Sequence, residues 1–261
     1  MNTPNFGPAD KALRWGNEAI NEFDINCRSF FDNGPLREVR QKDLESGQIV
    51  VKVISTADIP DSAEKQAFYA IQCIKNSFDR ATYAACIAFG AILTGNTSVN
   101  CPWADSAAGT EGILNGRSSK FPPKLRPIIH ALQPYGTGQG YTGGDDISRQ
   151  LAKIANRKHT VDLTFLPNVS GFMLLKADFS TDGKSGALQL RRPRWDSMKN
   201  ECEIMRLPGD VYDVPEYRLG LDVVFDESGP IFEIPAVKAL RHFAGKAKAF
   251  IQALELEAKV M

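Results

Sequence analysis

Apolar residues recur at steps of three, four or seven between Asp10 and Phe31, where Leu13, Ile20, Phe23, Cys27 and Phe30 form one stripe. That spacing predicts an amphipathic helix, closed by "DNGP" at 32–35. Extended runs at 36–43 and 48–55 flank the turn-rich "LESG" and predict a β-hairpin. A second stripe, Ala67, Ile71, Ile74, Phe78, Ala81, Ala85 and Phe89, marks the longest helix, which Asp61 or Ser62 can cap and which runs to about Leu93. Residues 94–122 carry no period, and a connection that long is usually functional or partly mobile. "PPKLRPIIHALQPY" predicts a short helix broken at Pro134, and Asp145 and Asp146 open another that ends at "NRKH", 156–159.

Beyond His159 the pattern changes. Segments 160–166, 170–179, 186–192, 201–207 and 219–226 read as strands, separated by turns such as "TDGKSG", "LPGD" and "DESGP". From Pro235, the residues Val237, Leu240, Ala244, Ala247, Ile251 and Leu254 follow an a/d rhythm, and a seam that regular needs the first two helices as partners. The chain is therefore expected to form one α+β domain over 1–261, a bundle of long helices packed against an antiparallel β-sheet. The helical part covers about 1–159 and 235–261, the sheet about 160–232.

Composition narrows the classes. A 261-residue chain with 43% hydrophobic and 24% charged residues is long enough for a sizeable core. Lys plus Arg and Asp plus Glu each total 31, which argues against a surface built throughout for a polyanion but allows a local basic patch. Cys27, Cys73, Cys86, Cys101 and Cys202 are scattered and never form C-x-x-C, so neither zinc nor a disulfide framework is expected. No cofactor is implied. The N-terminus lacks a signal-peptide core, and "AACIAFGAIL" at 84–93 is too short to span a bilayer, so a cytoplasmic protein without membrane contact is expected.

The candidate chemistry lies in two places. Gln72, Lys75, Asn76, Asp79, Arg80 and Tyr83 are spaced by three and four, which makes one polar strip along the longest helix. It reads either as a solvated face or, because 84–93 is apolar all round, as a partly covered strip that needs partners. Asn156, Lys158 and His159 at the helix-to-strand corner can supply them. His159 reads equally as a helix C-terminal cap.

The element order, with "KNSFDRATY", "QPY" at 133–135 and the Lys158–His159 pair, resembles a bacterial family of uncharacterised proteins. That family's long helix carries Leu-Arg-Ser-Ala-Leu-Asp-His and its corner Asp-Lys-His-Arg. The helix pattern is also similar to that of HEPN-type ribonucleases, where a His helps activate a ribose 2′-hydroxyl and an Arg stabilises phosphate charge. This chain departs at both positions, with Lys75 and Arg80, and an Arg cannot serve as a general base at neutral pH. The resemblance thus implies an RNA- or nucleotide-binding protein, non-catalytic or a weak metal-independent ribonuclease, in bacterial stress or phage defence. Lys75, Asn76, Asp79, Arg80, Tyr83, Asn156 and Lys158 would hold the anion, with His159 as the catalytic residue. A homo-oligomer is compatible with it.

The rival reading is a non-enzymatic structural or interaction protein in which the strip is an internal salt-bridge network. A metal-dependent hydrolase ranks third, since three histidines are a poor supply of ligands. Gly138-x-Gly140-x-x-Gly143 follows no strand and is expected to be a flexible connector. "RRPRW" at 191–195 joins three guanidiniums to an indole; a solvated strand-end turn is the first reading, a base-stacking cluster the second.

Overall fold

Small residues set the helical packing. In a computed structural model covering residues 5–91, 99–116, 121–156, 163–176, 189–190, 193–209, 215–226, 231–232 and 234–260, helix α1 (Gly7–Asp32) lies along helix α2 (Asp61–Ala88). A Cβ at Gly16 would stand 2.8 Å from Ile74 Cγ1 and 3.4 Å from the Ala70 carbonyl, so the missing side chain permits the close crossing. Ala63, Ala67, Ala70, Ala81, Ala84 and Ala85 keep α2 slim where it is buried. The last helix, α6 (Ala236–Lys259), packs on both α1 and α2 through Leu240, Phe243, Ala244, Ala247, Phe250, Ile251 and Leu254. Most of these follow the heptad spacing of the sequence.

Phe78 is the centre of this core. Its ring meets Trp103 at 5.1 Å, Phe243 at 5.3 Å and Phe250 at 5.6 Å. Burying a ring of that size is worth roughly 1.5–3 kcal/mol, before any ring–ring preference.

Three further helices follow α2 along the chain: α3 (Ala107–Asn115), α4 (Arg126–Leu132, preceded by a 3-10 turn) and α5 (Asp146–Asn156). Helix α3 falls in the stretch expected to be irregular. Two glycines and a terminal Asn weaken its helical period, but Ser106 caps it by accepting the Gly109 N–H at 3.1 Å.

The strands form two antiparallel layers. Strands β1 (Leu36–Lys42), β2 (Ile49–Ser55), β4 (Gln189–Leu190), β5 (Trp195–Asp196) and β6 (Glu201–Leu207) make one sheet in the order β1-β2-β6-β4, with β5 also on β6. Strands β3 (Phe165–Lys176) and β7 (Glu216–Phe225) pair as a long ribbon. Segments 160–166 and 170–179 were expected as two strands; β3 runs through both 165–166 and 170–176, with a register shift between Val169 and Gly171. Residues 160–162 and 177–179 lie outside the described residues. Pro167 is tolerated because β3 pairs with β7 alone among the described strands.

Val51, Val53, Val169, Trp195, Cys202, Ile204, Met205 and Leu207 form a second, smaller core between the layers. The architecture is α+β, long helices packed against antiparallel sheet. Among the described residues no helix is long and apolar enough to cross a membrane.

Candidate functional site

At about 100° per residue, the polar strip on α2 spans enough of the helix to face two ways. Gln72, Lys75 and Asp79 turn inward. The Gln72 side-chain amide donates to the Ala155 carbonyl at 2.7 Å. This satisfies one of the four carbonyls that the end of α5 leaves open and fixes that end against α2. The Lys75 ammonium pairs with Asp79 at 2.5 Å, and each side chain is only 16% exposed. The second oxygen of Asp79 accepts the backbone N–H of Cys101 at 3.1 Å.

Burial pushes the Asp79 carboxyl above its ordinary value, and the Lys75 charge and Cys101 N–H offset only part of that. Burial, with the Asp79 charge beside it, also holds the Cys101 thiol well above the usual thiol value. Such a thiol is inert rather than nucleophilic.

Asn76, Arg80 and Tyr83 take the outward flank, and all three are exposed. Arg80 reaches away from α5 and donates to the Pro8 carbonyl of α1 at 3.1 Å. Asn156 is the exposed last residue of α5. Lys158 and His159 lie outside the described residues. Of the predicted set, Lys75 and Asp79 are together, the end of α5 is docked beside them, and Arg80 is directed elsewhere.

A second polar cluster was missed in the sequence. Asp145 caps α5, accepting the Ser148 N–H and hydroxyl at 3.0 Å each. The same carboxylate faces His242 Nε2 at 2.7 Å and Lys246 Nζ at 3.3 Å, and it is 8% exposed. Burial opposes its ionisation, but the Ser148 N–H, His242 and Lys246 together outweigh burial and hold it below the ordinary value. Two signals were available: Asp-x-x-Ser at a helix start, and the i, i+4 pair His242–Lys246 on α6. Nothing local told which acid that pair would meet. Nearby, Asp105 pairs with Arg149 at 3.1 Å and Lys153 at 2.7 Å.

The Gly-rich stretch is a connector held at several points by hydrogen bonds. Gly143 (φ +87) and Gly144 (φ +109) adopt left-handed backbone beside Gln133, whose Oε1 accepts the Gly144 N–H at 3.1 Å. Asp146 occupies the start of α5, accepting the Thr137 N–H at 2.9 Å. The loop thus presents a carboxylate where a phosphate loop would present open N–H groups.

Among the described residues no group of three or more His, Cys, Asp or Glu is gathered as metal ligands would be. No protein-family model, curated protein or solved structure matches the chain.

Proposed function

We propose that this chain is a non-enzymatic interaction protein in which the inward flank of the α2 strip is an internal fastening. The observation that carries this reading is the use already made of the Lys75 charge: Asp79 answers it at 2.5 Å, and Asp79 is itself held by Cys101. A cation so compensated has little left to offer a phosphate. The ribbon supplies a surface for a partner, since Met173 is 62% and Leu175 41% exposed on β3.

A second reading, an RNA- or nucleotide-binding protein of HEPN-like ancestry, is favoured by the outward flank. Arg80 is exposed there with Asn76 and Tyr83, a cation beside a polar and an aromatic group.

RNA binding and cleavage at about 50 and 200 mM salt separate the two. The proteins compared are the parent, Lys75→Ala, Arg80→Ala and His159→Ala. The interaction reading expects no cleavage and no salt-sensitive binding in the parent, with Lys75→Ala reducing stability alone. Salt-dependent RNA binding that Lys75→Ala abolishes in a folded protein would overturn it. The same binding abolished only by Arg80→Ala would establish the second reading.

A further inference from the structure

The β3–β7 ribbon leaves one strand edge open. Among the described strands β7 pairs with β3 alone, and its far end is closed by the bridge between Val224 and Pro235. Over 216–222 its outer edge therefore meets no partner strand among the described residues. Asp226 donates its backbone N–H across the ribbon to the Thr164 carbonyl at 2.9 Å. Both register shifts of the ribbon come from extra residues on β3, so alternation along β7 is unbroken. It turns the N–H and C=O of Tyr217 and Leu219 to the open side.

Strand edges are usually blunted by proline, by a bulge or by charge. The outer edge of β3 has Pro167 and two extra residues, Ser170 and Leu175. On β1, Glu38 is already taken by Arg40 at 2.7 Å and by the Tyr217 hydroxyl. The open stretch of β7 has neither proline nor bulge. Its exposed charges are of opposite sign, Glu216 and Arg218, and neither has an ion-pair or hydrogen-bond partner among the described residues.

We infer that β7 pairs with β7 of a second copy about a two-fold axis at Tyr217, joining the two ribbons into one four-stranded antiparallel sheet. Such an axis sets residue 217 opposite itself, where the two chains exchange both backbone bonds, and it sets Glu216 opposite Arg218 twice. These flanking pairs lie between backbone bonds, where facing residues stand closest, about 4.5 Å apart at Cα. Within each ribbon Met173 stands opposite Arg218 and Lys176 opposite Glu216. A row across the dimer thus reads Met173, Arg218, Glu216, Lys176, with no like charges adjacent. Centring the axis on residue 216 or 218 would set two like charges face to face, so the charges fix the register. The inference rests on the reading of the ribbon as a partner surface and names the partner.

Sedimentation velocity of the full chain over a concentration series tests it. The parent should show a reversible monomer–dimer equilibrium. Arg218→Glu and Glu216→Arg should each weaken it about ten-fold or more, since either change sets like charges face to face at both pairs. Mixed in equal amounts, these two variants should pair with each other about as tightly as the parent does with itself. The double variant Glu216→Arg/Arg218→Glu should dimerise again on its own, a recovery that a folding defect cannot produce. A parent that stays monomeric up to about 1 mM would overturn the inference. So would single variants that dimerise like the parent, or a mixture of the two folded variants that stays monomeric. The two readings fail apart: a monomeric parent leaves the interaction reading to the RNA assay, whereas salt-dependent RNA binding removes that reading and leaves the dimer standing.

Discussion

Burial sets the terms for the Lys75–Asp79 pair. Removing one partner of a covered ion pair leaves the other charge unanswered, a larger loss than the pair's own net worth. Lys75→Met should therefore destabilise the protein by about 2–3 kcal/mol at neutral pH. Asp79 then stands buried without its cation, and its carboxyl, already raised by burial, rises further. For an acid whose folded value is raised, the native state holds the proton more tightly, so stability falls as pH climbs from the unfolded value of ~4 through the folded one. The deficit of Lys75→Met should accordingly shrink on titration from pH 7 toward pH 5, as read by denaturant melts at each pH. Adding Asp79→Asn should restore more than half of it, because the amide oxygen can still accept the Cys101 N–H. A deficit independent of pH would mean that packing by the lysine stem, not charge, is what was lost. The i, i+4 spacing made this pair legible in the sequence. Cys101, 22 residues beyond Asp79 along an irregular segment, was not, because no periodicity links a helix to a backbone donor in a loop.

Elements meet where side chains are missing or where a cap is shared. At Gly16, alanine would gain roughly 1 kcal/mol of helix propensity. It would also press a methyl to 2.8 Å from Ile74 Cγ1, inside a packed crossing where an extra carbon costs about 1–3 kcal/mol. The clash should win, and Gly16→Ala should lower the melting temperature; a rise would show that α1 and α2 can slide apart freely. At the other crossing, Asp145 joins α5 to α6. Asp145→Ala loses a helix cap, worth ~1 kcal/mol, and strips His242 and Lys246 of their shared carboxylate, for a total of about 2–3 kcal/mol. The Asp145 carboxyl is held low, so its contribution is present above the unfolded value of ~4 and is lost as pH falls through the folded one. Acid melts of parent and variant should converge below about pH 4, and curves that stay parallel there would refute the assignment. Periodicity placed α1, α5 and α6 nearly at their observed bounds, and it carried α2 to about Leu93 where the helix ends at Ala88. It missed α3, whose glycines blur the pattern, and β5, two residues that become a strand only through pairing with β6. Both are set by tertiary context rather than by local preference.

The whole molecule has two cores, and the β3–β7 ribbon belongs to both. At one end Phe165 and Phe225 pack as tilted rings at 5.0 Å, Phe165 meets Phe23 of α1 at 5.2 Å, and Phe165 and Phe225 both lie in the helical core. Further along, Val169, Phe172, Tyr217 and Leu219 turn toward the smaller core beside Trp195. Neither core can open without exposing half of a ribbon whose two strands stay paired from one to the other, through the register shift between Val169 and Gly171. A lone two-stranded ribbon is at best marginally stable in water, so whichever side lets go withdraws the support of the other. The consequence is a single cooperative transition for the two cores together, which the three tryptophans can report separately. Trp15 and Trp103 sit in the helical part, and Trp195 sits between the sheets. In a protein that keeps only Trp195, indole fluorescence and helical circular dichroism should trace the same denaturant midpoint. An earlier Trp195 midpoint would divide the chain into a stable helical unit and a weaker sheet unit. Phe165→Ala then decides whether the ribbon is the coupling, since it removes the ring that ties β3 to α1 while leaving the smaller core untouched. If the ribbon couples the cores, that one substitution should split a shared midpoint in two, and Val53→Ala, confined to the smaller core, should shift both signals together.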